Sequence, residues 1–136
     1  MDMDQMRTHQ LIQAALSGLA LRQRVIADNV ANLATPRFKA SAVEFEAALR
    51  QALGSAEGLK LTSVPGSVDT PGPIRDDGLA RVVTPRGTTL RADGNNVDID
   101  EQMVHLAQTN ITYNALAQIM TGRLRSLRSV ISEGRR

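Results

Sequence analysis

Cysteine and tryptophan are absent from this chain of 136 residues, and its aromatic residues are limited to two Phe and one Tyr. Without cysteine, the sequence offers no disulfide framework, no thiolate metal ligand and no thiol nucleophile. Hydrophobic residues make up 42% of the sequence, so any core must be built mainly from aliphatic side chains. The length predicts a single domain, because domains cluster at about 100–150 residues.

Long apolar runs and a strong charge imbalance are also missing. Lys and Arg number 16 against 14 Asp and Glu, a net charge of +2, which is weak support for a nucleic-acid partner. Arginines or polar residues interrupt every apolar segment before it reaches the roughly 18–20 residues that span a bilayer. The acidic start, MDMDQMRTHQ, lacks the basic and apolar regions of a cleavable signal peptide.

Patterns for catalysis and metal binding are equally scarce. His9 and His105 are the only histidines, and neither lies in a nucleophile or metal motif. The segment from Asp93 begins like a calcium loop, but Val97 and Asp98 occupy its fifth and sixth positions, where an oxygen ligand and a glycine are required. We therefore predict no catalytic residue, no cofactor and no metal site, and interpret this segment as a turn and helix cap.

The N-terminal part of the chain has the periodicity of a long helix, from Asp4 to Ala34. Spacings of three, four and seven residues place one apolar set on a single helical face. This set comprises Ile12, Leu16, Leu19, Ile26, Val30 and Leu33. Gln23 is the one polar residue in its register, and a second apolar stripe between Leu11 and Val25 widens the face. The helix is therefore expected to have more than one neighbour.

A second long helix is predicted after Asp98, which with Glu101 forms a capping-box-like start. The same spacing recurs there, with Asn110 as its polar exception. Its apolar face comprises Met103, Leu106, Tyr113, Ala117, Met120, Leu124, Leu127 and Ile131. We expect a mainly α fold in which the two long helices pair as an antiparallel, coiled-coil-like hairpin.

The region between these helices differs in composition. Residues 54–94 hold seven of the ten glycines and four of the five prolines, so they cannot form one continuous helix. Within this loop, Leu79 to Arg91 could form a β-hairpin about residues 85–87. We divide the chain into residues 1–53, the middle loop 54–94 and residues 95–136, with both ends forming one helical domain.

One shorter helix is predicted just before the middle loop. Ser41 and Glu44 have capping-box spacing, and Gly54 is a suitable stop. The expected helix places Phe45, Ala48, Leu49 and Ala52 on one face. A helix of about twelve residues is marginal alone in water, so it should dock against the rest of the structure.

The first long helix ends in the stretch DNVANLATPRFKA, which begins at Asp28. Asn29 and Asn32 are three residues apart and share a helical face, where their amides can bind backbone groups left free at the helix end. Pro36 disfavours helical geometry at Thr35 and ends the helix. We predict a helix stop that forms, with the later Asn-Asn turn, two polar collars at the open ends of the helix pair.

The same stretch resembles the N-terminal signature of bacterial flagellar rod and hook proteins, A-x-N-x-A-N-x-x-T-P-G-Y/F. Six residues match this signature in order: Asn29, Ala31, Asn32, Thr35, Pro36 and Phe38. Arg37 stands where glycine is usual, and arginine disfavours the positive φ that glycine permits. The segment DGNNVDIDEQMVHLAQTNITYNAL resembles the C-terminal motif of proximal rod subunits, in Asp93, Gly94, Asn95, Asn96, Val97, Asp98 and Tyr113.

This resemblance implies a non-enzymatic structural subunit of the flagellar basal body, located in the proximal rod. Such subunits build an axial drive shaft and export channel that transmits torque. The implied partners are further copies of the chain, other flagellar rod subunits, the hook-basal body adaptor protein and the membrane-embedded ring. Export would use the flagellar type III export apparatus without a cleaved signal, and no nucleic acid is expected among the partners.

Apolar residues of both long helices are our candidates for the assembly interface. They are Leu16, Leu19, Ile26, Val30, Leu33, Met120, Leu124, Leu127 and Ile131. They could instead form only a core within one chain. Burying one Leu or Ile contributes about 1.5–3 kcal/mol, while ordering each residue costs about 1–2 kcal/mol of backbone entropy. A lone hairpin is therefore expected to be marginally stable and partly disordered at both ends until it packs with other chains.

The C-terminal arginines keep a second function open. Arg123, Arg125, Arg128, Arg135 and Arg136 form the only dense basic cluster. This cluster is either a solvated face near the negative end of a helix dipole or a contact for acidic partners. The alternative function is a small helical adaptor or nucleic-acid-binding module. Its affinity for nucleic acid would fall steeply with salt, whereas apolar helix packing would persist.

Overall fold

Two long helices dominate the structure, a computed structural model that describes residues 3–54, 80–85 and 87–133. The elements in chain order are α1, Met3–Ala31; β1, Ala42–Glu44; α2, Glu46–Gly54; β2, Arg81–Val83; and α3, Ile99–Glu133. α1 and α3 pack against each other along their lengths. The predicted mainly α fold is confirmed, and in the described ranges no helix has the length and hydropathy that crossing a membrane requires.

Polar pairs across the α1–α3 contact show that the two helices run antiparallel. Gln23 donates from Nε2 to Oδ1 of Asn110 over 2.7 Å, and Asn29 bonds to Gln102. Residue numbers therefore rise on one helix as they fall on the other. Gln23 and Asn110 are the polar exceptions in the two apolar registers, so each satisfies the other. Such a polar pair favours one alignment of the helices over a shifted one.

The main buried cluster lies between the middle of α1 and its end, and Ile12 and Ala15, nearer the start of α1, are buried as well. Leu19, Leu21 and Val25 of α1 are buried against Val43 and Phe45. Half-buried residues from β2 and α3 close this cluster: Ala80, Val82, Tyr113 and Leu116. The core is aliphatic apart from two rings, as the composition predicts. The short helix α2 also packs on α1.

The Phe45 ring packs against two residues of α1, Gly18 and Arg22. A Cβ atom at Gly18 would lie 2.8 Å from the Phe45 ring, so only glycine allows the ring to approach this closely. The Arg22 guanidinium lies 4.7 Å from the ring centroid and donates to the Val43 carbonyl oxygen over 2.7 Å. This arrangement fastens the segment from Val43 to Phe45 onto α1.

Glu46 completes this arrangement as the partner of Arg22, with 2.6 Å between Oε1 and Nη2. Partial burial of the Glu46 carboxyl raises its pKa. The hydrogen bonds from its own backbone N–H, from Arg22 and from the Phe45 N–H, together with the Arg22 charge, outweigh burial and hold the pKa below its ordinary value. The carboxylate is therefore ionised at neutral pH and pairs the start of α2 with α1.

The small sheet differs from the hairpin predicted between Leu79 and Arg91. β2 forms as expected, but it pairs antiparallel with β1, with Val43 opposite Val82. The segment after Gly87 is not a strand, because the backbone amides of Leu90 and Arg91 donate to the Asn95 carbonyl oxygen. Arg86, at the tip of the predicted hairpin, lies outside the described residues, as do residues 55–79.

Two predicted helix bounds are also corrected. The short helix begins at Glu46 rather than at Ser41, because the segment after Ser41 is used as strand β1 and the Ser41 hydroxyl bonds to the Thr84 hydroxyl over 2.7 Å. Its predicted apolar face persists: Phe45 is buried, and Ala48, Leu49 and Ala52 are half-buried. α1 ends at Ala31 rather than at Ala34, and turns occupy the intervening residues.

Candidate assembly site

The two recognised motifs meet at one end of the helix pair. Because α1 and α3 are antiparallel, the turn after α1 and the loop before α3 lie side by side. Their contact is made by four asparagines, Asn29, Asn32, Asn95 and Asn96, which we call the asparagine cluster. The expectation of two separate polar collars is therefore wrong, since both motifs contribute to a single cluster.

Asn95 is the centre of this cluster and is fully buried, with 0% of its surface exposed. Its Nδ2 donates to the carbonyl oxygens of Asn32 at 3.1 Å, Leu33 at 3.1 Å and Thr35 at 2.9 Å. These carbonyls belong to the turn that follows α1, where those of Asn32 and Thr35 also accept from backbone N–H groups of the same turn. The Asn95 Oδ1 accepts from the Val97 backbone N–H over 2.7 Å. One side chain thus joins the turn after α1 to the segment that leads into α3.

Asn96 holds the chain just after the rod signature. Its Oδ1 accepts from the Ala40 backbone N–H over 2.6 Å, and its Nδ2 donates to the Thr88 hydroxyl over 2.8 Å. The ammonium group of Lys39 adds two hydrogen bonds, because its Nζ donates to the carbonyl oxygens of Thr88 at 2.6 Å and Gly94 at 2.7 Å. Together these bonds fix three backbone segments that are far apart in sequence.

Asn29 has a different role from the predicted one. It is 1% exposed, and its Oδ1 accepts from the Ser41 N–H over 2.9 Å while its Nδ2 donates to the Ser41 carbonyl oxygen over 2.8 Å. Nδ2 also donates to Oε1 of Gln102 over 2.9 Å. Asn29 therefore binds the returning chain and α3. Asn32 alone performs the predicted task, donating to the Asp28 carbonyl oxygen over 2.8 Å.

Arg37 takes the left-handed backbone conformation that its sequence position implied, with φ of 63°. Non-glycine residues rarely adopt this conformation, because the Cβ atom crowds the adjacent backbone. The Arg37 N–H donates to the Asp93 carbonyl oxygen over 3.1 Å. The turn therefore retains a glycine-like geometry while it joins the rod signature to the C-terminal motif.

Asp98 begins α3 as an N-cap. Its Oδ1 accepts from the Asp100 N–H over 2.9 Å, which satisfies one of the free amides of the first turn. The Glu101 carboxylate lies 3.6 Å from His105 Nε2, so it pairs along α3. Asp93 accepts from the Asn95 N–H over 3.1 Å through Oδ1. The segment that begins like a calcium loop is thus built as a turn and helix cap.

The remaining motif residues surround the cluster or pack on the core. Ala31, Thr35 and Pro36 are exposed, Phe38 is half-buried, and the Thr35 hydroxyl donates to Asn32 Oδ1 over 3.1 Å. Gly94 has φ of 82°, which glycine adopts without strain. Val97 is buried and Tyr113 packs against the core.

The candidate interface residues fall into three groups according to how exposed their side chains are. Leu19 and Ile26 are 3% and 4% exposed, so they contribute to the interior of this chain. Leu16, Val30, Leu33, Met120 and Leu127 are half-buried. Leu124 and Ile131 are 51% and 74% exposed, and these two offer most surface to another chain. Leu19 belongs to the buried cluster around Phe45, whereas Leu124 and Ile131 lie towards the far end of α3.

Three residues around the asparagine cluster carry no local sequence signal. Gln102 bonds to Asn29, which is 73 positions away, and Thr88 bonds to Asn96. Lys39 donates to the Thr88 and Gly94 carbonyl oxygens beside the cluster, 49 and 55 positions away. The Asn-Asn pair was the one available signal, since adjacent amides before a helix cap are suited to bind backbone groups. Among the described side chains, every buried polar atom has a hydrogen-bond partner. In the same ranges, no group of His, Asp or Glu is arranged to hold a metal.

Comparison with known proteins gives this geometry its context. Residues 12–39, which contain the second half of α1 and the signature turn, match the family described as Flagella basal body rod protein. The flagellar basal body rod protein FlgB of Bacillus subtilis is 36% identical over 128 residues, covering 94% of this chain and 95% of the relative. The chain belongs to the FlgB family of flagellar basal body rod proteins. FlgB of Borrelia hermsii is 38% identical over 85% of this chain and 89% of the relative.

Sequence similarity to FlgB extends over nearly the whole chain. FlgB of Escherichia coli is 28% identical over 130 residues, covering 90% of this chain and 91% of the relative. The similarity therefore reaches well beyond the two short motifs. The predictions of a structural rod protein and of its location in the basal body rod are confirmed by this family.

Proposed function

We propose that this chain is a proximal rod subunit whose paired end helices pack with neighbouring subunits to build the drive shaft and export channel. The single observation that supports this assembly most is Asn95, which is fully buried and binds three carbonyls of the rod signature. It joins both motifs into one rigid end. The other half of the helix pair keeps its apolar side chains exposed for further contacts.

The named partners are part of this proposal. They are further copies of the chain, other rod subunits, the hook-basal body adaptor protein, the membrane-embedded ring and the flagellar type III export apparatus. Support comes from the family and from the exposed apolar residues of α3. The alternative function, a small helical adaptor or nucleic-acid-binding module, is supported among the described residues of α3 by Arg123, Arg125 and Arg128 alone. The relatives are named as rod proteins, which favours the rod function over this alternative.

Leu124→Asp tests the packing step in the native bacterium. Leu124 is 51% exposed, so the carboxylate is solvated in the free chain and costs free energy only when another subunit covers it. We expect loss of motility and loss of the protein from purified basal bodies. Asn114→Asp, which adds the same charge at another exposed position of α3, should leave both unchanged.

Ile26→Asp tests the stability of the single chain rather than packing between chains. Ile26 is 4% exposed, so a carboxylate there should unfold the chain before assembly can be tested. Normal motility and normal incorporation of the Leu124→Asp protein would contradict the packing proposal. Absence of the unmodified protein from basal bodies would contradict the rod function itself.

A further inference from the structure

Both ends of α3 carry exposed apolar side chains. Those at its beginning, which we call the start patch, are Ile99, Met103 and Val104, at 43%, 43% and 56% exposure. Those near its other end, which we call the end patch, are Leu124, Val130 and Ile131, at 51%, 67% and 74% exposure. Large apolar side chains grouped on a surface mark an interaction site, whereas scattered ones do not.

The two patches have opposite charge around them. Asp98, Asp100 and Glu101 flank the start patch, and all three are exposed. Arg123, Arg125 and Arg128 flank the end patch and are exposed as well. Between residues 102 and 122 of α3, His105 is the one side chain of acidic or basic type. The helix is therefore acidic at one end and basic at the other. Exposed apolar side chains lie at both ends and, at Ile111 and Ile119, also between them, so charge is what distinguishes the two patches.

Distance prevents these patches from meeting within one chain. At 1.5 Å per residue, Asp100 and Arg128 are separated by about 40 Å along the helix axis. α1 lies beside α3 over most of this length and cannot cover both patches, as their exposure shows. Complementary surfaces at opposite ends of one molecule can be satisfied only between molecules.

We propose that the end patch of one copy docks on the start patch of a second copy, with apolar side chains in contact and arginines beside carboxylates. This inference rests on the rod function proposed above and names the partner and the two surfaces. A second copy is favoured because each end of α3 complements the other in both charge and hydropathy. Pairing of two like ends would place equal charges together, which is unfavourable. A contact of this heterologous type adds copies beyond two, as a ring if its rotation closes and as an open filament if it does not.

Charge reversal at one end at a time provides the test, using the purified full chain and sedimentation velocity over a range of protein concentrations. The start-reversed variant carries Asp100→Arg and Glu101→Arg, and the end-reversed variant carries Arg123→Glu and Arg125→Glu. Each alone should raise the dissociation constant by about tenfold or more, since like charges then meet. An equimolar mixture of the two variants should regain association, as should one chain carrying all four substitutions.

Two further variants separate this effect from charge number and from folding. Arg24→Glu with Arg50→Glu makes the same change in net charge as the end-reversed variant, at exposed positions of α1 and α2, and should associate like the unmodified chain. Asp100→Asn with Glu101→Gln removes the carboxylates and leaves the Asp98 cap in place. It should weaken association less than reversal does, with an unchanged circular dichroism spectrum.

Several results would overturn the proposal. A limiting size of two copies would indicate a closed antiparallel pair of α3 helices. If the unmodified chain does not associate at any concentration, the patches bind a different protein. If the mixture of the two reversed variants does not associate, charge complementarity does not drive the contact. Each of these results leaves the rod function intact if the chain still co-purifies with basal bodies. Absence from basal bodies would remove the rod function whatever the purified chain does.

Discussion

A single amide side chain binds the turn that follows α1 from a distant part of the sequence. Helix ends are usually satisfied by residues within a few positions of the end. Asn95 instead reaches the carbonyls of Asn32, Leu33 and Thr35 across 60 to 63 positions. Only an amide can perform this task, because it donates to the carbonyls through Nδ2 while it accepts from Val97 through Oδ1.

Asn95→Ala should lower the free energy of unfolding by about 1–3 kcal/mol, because three part-buried hydrogen bonds to the turn and the buried bond to the Val97 N–H are lost. Asn95→Asp should cost more, since a carboxylate would face three carbonyl oxygens with no proton to donate. Urea unfolding followed by circular dichroism measures both changes. Asn114→Ala, at an exposed position of α3, is the matched control and should change the free energy little. Equal costs at positions 95 and 114 would contradict the assigned role of Asn95.

Arg37→Gly should stabilise the chain. The left-handed conformation at φ of 63° costs a non-glycine residue about 1–2 kcal/mol, and the greater freedom of glycine in the unfolded chain offsets roughly 0.5–1 kcal/mol of that gain. The expected increase in the free energy of unfolding is about 1 kcal/mol or less, measured by urea denaturation.

Arg24→Gly gives the opposite control within α1. Arg24 is exposed on the helix, where glycine costs about 1 kcal/mol relative to good helix formers. A loss of stability from both Arg-to-Gly changes would show that the Arg37 turn does not require a glycine-like conformation.

At the level of elements, periodicity identified the helices but not their partners. Spacings of three and four were sufficient for α1 and α3, since a helix is defined by neighbours close in sequence. The partner of β2 was misjudged, because Val82 pairs with Val43 and no local pattern records a partner 39 positions away. The same limit hid the bonds of Asn29 to Ser41 and Gln102. Contacts that depend on the packed arrangement were therefore beyond sequence reasoning.

Gly18 and Gly122 provide a matched pair of helical glycines with opposite expectations. Gly18→Ala would place a Cβ atom 2.8 Å from the Phe45 ring, and overpacking of this kind costs about 1–3 kcal/mol. Gly122→Ala meets no atom within 4 Å and should stabilise α3 by up to about 1 kcal/mol. Thermal unfolding of the two variants should shift in opposite directions. Stabilisation by Gly18→Ala would show that Phe45 does not pack on α1 as described.

For the whole molecule, stability is distributed unevenly along the hairpin. The half beside the asparagine cluster has a core and small sheet packed on the helices, whereas the half beyond Leu116 presents exposed Leu124, Val130 and Ile131. Helices without tertiary packing are marginal in water. The width of the apolar faces predicts a hairpin that is marginally stable and partly disordered at both ends until it packs with other chains, and this stays a prediction.

Helix content should therefore rise with protein concentration. Circular dichroism at 222 nm, from dilute to concentrated protein, should show added helix as copies cover the exposed half, and the melt should become more cooperative. Leu124→Asp should keep the dilute-protein spectrum at every concentration, because it prevents coverage of that half. A cooperative melt that is independent of concentration for the unmodified chain would contradict this expectation.

The position of Asn95 also sets an order of events during folding. Helix α1 and the turn after it can form early from local hydrogen bonds, but the Asn32, Leu33 and Thr35 carbonyls gain the Asn95 donor only when residue 95 arrives. Contacts between residues this far apart form late, because closing a long loop carries an entropy cost before any bond is made. A chain that lacks either motif cannot make these contacts, so only a molecule that holds both presents the joined end to its neighbours.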